Sequence, residues 1–163
     1  MRHFADLKDG TYGGAASRAD RERLFTVDVA LLDPHVRQAL DEINEDLLLD
    51  TGELTATHVR RTVNVGLDAV WALSWPEQRA VRIMPIVIRA YLGIGSPHPH
   101  LQGGTVGDWP LNVFNEEQAA AELPTLRAIA AGEIHNLVSQ LWRDSGIIPA
   151  LLNGHTVGHR ARS

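Results

Sequence analysis

Ser74–Leu92 reads SWPEQRAVRIMPIVIRAYL, and the period assigned to it decides the fold. Ser74-Trp75-Pro76-Glu77 has the pattern of a capping box, with Pro tolerated in the first turn of a helix. Met84, Pro85, Ile86, Val87 and Ile88 then make the element apolar on nearly every side. Such a helix belongs at the centre of a core, with a kink at Pro85. A kinked, all-apolar central helix fits an orthogonal bundle better than a regular up-down one.

The segments before it fit the same picture. Asp33-Pro34 reads as a helix start, and Val36, Leu40, Ile43 and Leu47 follow at steps of four, three and four, with Gly52 as the stop. A second helix opens at Thr55 or Thr57 and carries Val59, Val63, Leu67, Val70 and Trp71. Upstream, Ser17 caps a helix with Asp20 in its first turn. Phe25 to Leu31 alternates with period two, yet also suits a helix extended from Ser17; both readings stay open.

On the other side lies Gly93–Asn115, GIGSPHPHLQGGTVGDWPLNVFN, with five of the fourteen glycines and three of the eight prolines. Pro and Gly at this density argue against regular structure. A connection this long in a compact domain is functional or disordered, and Leu101, Val106, Trp109, Leu111, Val113 and Phe114 give it apolar anchors. It reads as an ordered, site-forming loop. The last long helix starts near Asn115, with Glu116 and Glu117 at the positive end of its dipole. Its buried stripe is Leu126, Ile129, Ile134, Leu137, Leu141 and Trp142, and Gly146 closes it. The expectation is a mainly α, single-domain orthogonal bundle of four to five helices. Residues 1–16 form a loose arm, 17–153 the helical domain with loop 93–115, and 154–163 a tail.

With 163 residues, 44% of them hydrophobic, the chain suffices for one core and is too short for two comfortable ones. No apolar run approaches the ~20 residues of a membrane span, and the charged start MRHFADLKDG lacks the core of a signal peptide. Zero cysteines exclude disulfides, thiolate metal sites and cysteine nucleophiles. A cytoplasmic protein without membrane contact is the simple expectation. The net charge of −5 argues against nucleic acid as the main partner, and Asp33–Glu53 alone holds seven acids against Arg37. The acids lie opposite Val36, Leu40, Ile43 and Leu47, so they form a solvated face.

Several groups are able to carry chemistry. His98-Pro99-His100 opens the Gly/Pro loop, and His155 and His159 are four apart near the end; imidazole pairs are metal ligands, although no motif specifies the metal or any cofactor. Glu133 and His135 lie on the last helix, where His135 borders the buried stripe; two apart, they do not face each other. Gly103-Gly104-Thr105-Val106-Gly107 has the glycines of a phosphate cradle but no lysine and no strand signal before it. Trp109, beside Asp108 and Pro110, is placed to wall a pocket. The favoured reading is a loop-covered pocket for a small organic molecule, with acid/base chemistry from His98, His100, Asp108 and His135 and binding contacts from Trp109, Asn112 and Trp142. One rival is a helix-turn-helix regulator reading DNA with residues 55–64, among them Arg60 and Arg61. Another is a non-catalytic interaction or structural subunit, docked on a partner or a second copy.

Overall fold

The computed structural model describes residues 17–140 and 145–151. It replaces the helical bundle with a mixed α/β architecture: a six-stranded antiparallel sheet with its long helices on one face. The elements run α1 (Arg18–Asp46), β1 (Glu53–Ala56), β2 (Arg60–Thr62), β3 (Gly66–Ser74), α2 (Pro76–Ala80), β4 (Ile86–Gly93), β5 (His100–Gly103), β6 (Gly107–Pro110), α3 (Glu116–Ala121) and α4 (Leu123–Gln140), then a 3-10 turn, Ser145–Ile147. Residues 1–16, Trp142 and the tail with His155 and His159 lie outside the described residues.

The central helix is the main correction. A helix does start after Trp75, whose backbone N–H donates to Gln78 Oε1, but it ends at Ala80. Residues 86–93 are strand. Ile86, Ile88, Ala90 and Leu92 are buried, while Val87, Arg89 and Tyr91 turn to the other side. That is a period of two, hidden because Val87 is as apolar as its neighbours. The supposed second helix errs for the same reason: Leu67, Ala69, Trp71 and Leu73 form the buried face of β3, and the outward Val70 and Ala72 mask the alternation.

Strand order is β1-β3-β4-β5-β6, with β2 pairing β3 beside β1. Asp68 stands opposite Tyr91, and Tyr91 opposite His100. Much of the Gly/Pro loop is therefore sheet, in β5 and β6: Gln102 and Leu101 pair across to Gly107 and Trp109, with an irregularity between Leu101 and Gln102 that leaves Asp108 as the extra residue.

Helix α1 settles residues 25–31 as helix and passes straight through Asp33-Pro34, which was expected to begin one. Pro34 sits on the exposed side. The stripe Phe25, Val29, Leu32, Val36 and Leu40 supplies packing against the sheet, each such side chain worth about 1.5–3 kcal/mol, enough to offset one missing backbone bond. Ser17 caps α1 by accepting from Asp20 N, where the sequence places a cap; Asn115 caps the short α3 by accepting from Gln118 N, and the long helix expected to start near Asn115 begins at Leu123. Leu126 and Ile129 of α4 join the same core. Among the described residues, no helix is long and apolar enough to cross a membrane.

Candidate functional site

With both long helices on one face, the outward side chains of the sheet form a polar network centred on Tyr91. Asp68, on the outward side of β3, is only 3% exposed at its side chain because Arg60 and Arg89 close over it. Arg60 Nε donates to one carboxylate oxygen at 2.7 Å and Arg89 Nε to the other at 3.0 Å. Burial pushes the Asp68 pKa up, but the bonds from the two guanidiniums outweigh it and the net shift is downward. The Arg89 guanidinium lies 4.9 Å from the centre of the Tyr91 ring. It also donates to the Gln102 amide oxygen at 2.7 Å, and the Gln102 amide nitrogen donates to Asp108 at 3.2 Å.

The Tyr91 hydroxyl donates to Asp108 Oδ1 at 2.8 Å. Burial, then the bond to the carboxylate, raises the phenol pKa, so Tyr91 keeps its proton. Asp108 reaches this position because the irregularity in β6 turns the extra residue toward β4. His100 stacks on Tyr91 with ring centres 5.8 Å apart, and His98 meets His100 edge-on at 5.6 Å. His98 is buried and donates from Nε2 to Asn112 Oδ1, which ties the 94–99 connection to the chain leaving β6.

The structure thus brings His98, His100, Asp108 and Asn112 together. It does not bring in His135, which is exposed on α4. Trp109 packs part-buried against the core from the opposite side of β6. Tyr91, Arg89, Gln102 and Asp68 belong to the cluster and were missed, since only strand register places them there. Glu133 has a different task. Its carboxylate accepts from Thr105 N at 2.7 Å, Val106 N at 2.9 Å and Thr105 Oγ1 at 3.0 Å. The Gly-rich turn does cradle an anion, but the anion is the protein's own, held so close that a Cβ on Gly103 would overlap it.

Two cavities lie elsewhere, one between α1 and the β1–β2 edge and one around Met84, Thr105, Glu133 and Leu137; none of His98, His100, Asp108 or His135 lines either. Among the described residues, no group of three or more His, Asp or Glu is arranged to hold a metal ion. The helix-turn-helix is absent too: residues 55–64 are strand and turn, with Arg60 on Asp68 and Arg61 on Glu22 at 2.8 Å. Comparison with protein-family models, with curated proteins and with solved structures finds no match for this chain.

Proposed function

We propose that the protein is a non-catalytic recognition module that docks a partner protein on the outward face of its sheet, with Tyr91, His100 and Arg60 at the contact. One observation carries this reading: the polar groups on the outward face of the sheet already hold one another. Tyr91 is bonded to Asp108, Arg89 to Asp68 and His98 to Asn112. A catalyst gains most of its electrostatic effect from groups aimed at substrate, whereas these are aimed at one another. Tyr and Arg on a pre-organised platform are instead the residue types that dominate protein contacts. Arg60, 52% exposed, and His100 put donors at the rim, which suits a partner surface rich in carboxylates.

A second reading retains acid/base chemistry on a small organic molecule. It is favoured by His100, a titratable ring held on a defined platform beside the Tyr91–Asp108 pair. Photocrosslinking residues placed at Arg60 and His100 in the producing cell separate the two. The docking reading expects one protein captured from both positions and none from Gln38, exposed on α1 in the other layer, with Arg60→Glu abolishing capture. Capture from Gln38 instead would overturn it.

A further inference from the structure

At the other edge of the sheet, β1 and β2 are separated by Thr57-His58-Val59, where the chain bulges away from β3. Thr57 bridges this gap: its N–H donates to Val70 O at 2.9 Å, and its hydroxyl oxygen accepts from Val70 N at 3.0 Å. His58, at φ +58°, turns the backbone. The bulge leaves a cleft of about 480 Å³ against α1, within the range of small-molecule sites. Its walls are mainly apolar, Val29 and Ala30 from the helix and Ala56, Val59 and Trp71 from the sheet side, with Thr26 and His58 adding polar groups. One anion lines it. Asp33 Oδ1 accepts from Trp71 Nε1 at 2.8 Å and Oδ2 from Arg37 Nε at 2.9 Å. A carboxylate has about four acceptor positions, so these bonds orient Asp33 without exhausting it.

We propose that this cleft binds a small amphipathic amine, its apolar body between Val29, Ala30 and Val59 and its ammonium on the Asp33 carboxylate. The site is separate from the sheet-face network and does not depend on the docking reading. A carboxylate ligand of the same shape is disfavoured because Asp33 is ionised: burial raises its pKa, and the bonds from Trp71 and Arg37 more than reverse this. A wholly apolar ligand would strip water from the acceptor positions of Asp33 that Trp71 and Arg37 leave open and put nothing in its place. A metal ion is a poor fit, because among the described residues Asp33 and His58 are too few ligands for a coordination shell.

The test uses three probes of one shape on the full-length protein: 2-phenylethylamine, 2-phenylethanol and 3-phenylpropionate, titrated while the Trp71 indole N–H and the Ala30 and Ala56 methyl signals are followed by NMR. The expected result is saturable shifts confined to these signals, with the amine binding at least tenfold tighter than the carboxylate. Asp33→Asn, which keeps an oxygen acceptor for Trp71, should remove the preference for the amine while the alcohol binds as before. Ala30→Phe, which fills the cleft without touching Asp33, should abolish binding of all three. Equal affinity for amine and carboxylate in the native protein, an amine preference that survives Asp33→Asn, or no saturable shift with the amine would overturn the proposal.

Discussion

Asp68 shows how the partners of one residue follow from strand register. It interrupts an apolar run, and a helix would put it on a solvated side; strand register instead sets it under Arg60 and Arg89. Its folded pKa is lowered, as are those of Asp33, Glu22 and Glu42. A lowered folded pKa gives stability that is complete above the unfolded value, about 4, and is lost as pH falls through the folded one. Urea midpoints should therefore be flat at neutral pH and drop below about pH 4. Asp68→Asn should lower the neutral midpoint and shrink that acid drop. Asp68→Ala should cost about 2–4 kcal/mol, the low end of a buried pair because Arg60 reaches solvent. An unchanged acid drop in Asp68→Asn would place the titrating stability elsewhere.

Elements differ in how much of them is local. The Ser17 cap was legible because a cap is a contact between residues three apart. Strands β3 and β4 were not, because what makes Val70, Ala72 and Val87 strand residues is the neighbour strand, and their apolar side chains cover the period. The 93–115 segment was legible as ordered and as the source of His98, His100, Asp108 and Asn112, which are close in sequence; Tyr91 and Arg89 required the pairing of β4 with β5. Its anchors are now specific. Leu111 is fully buried, so Leu111→Ala should cost about 2–5 kcal/mol, whereas part-buried Trp109→Ala should cost less, about 1–3. Glu133→Ala removes three bonds to the 105–106 turn and should cost about 2–4 kcal/mol. Amide exchange at Thr105 and Val106 should speed up in that variant while Leu101 stays protected. Unaltered exchange at 105–106 would mean the turn holds itself.

At the scale of the molecule, the chain is a sheet with helices on one face and two candidate sites: the Asp33 cleft between α1 and the β1–β2 bulge, and the Tyr91 network on the outward face of the sheet, from Arg60 on β2 to Asp108 on β6. Ion pairs, Arg61 to Glu22 between the layers and Arg89 to Asp68 on the sheet, act at the periphery, while Leu32, Leu40, Trp71, Ile88 and Leu101 supply the core. The recognition face rests on the register that sets Asp68, Tyr91 and His100 in one row across three strands. Isotope-edited NMR reads that row directly. The account predicts cross-strand nuclear Overhauser contacts between residues 68 and 91 and between 91 and 100, with the Tyr91 and His100 rings in mutual contact. Sequential helical contacts, residue i to i+3, along 86–92 would contradict it, and with it the sheet and the recognition face together.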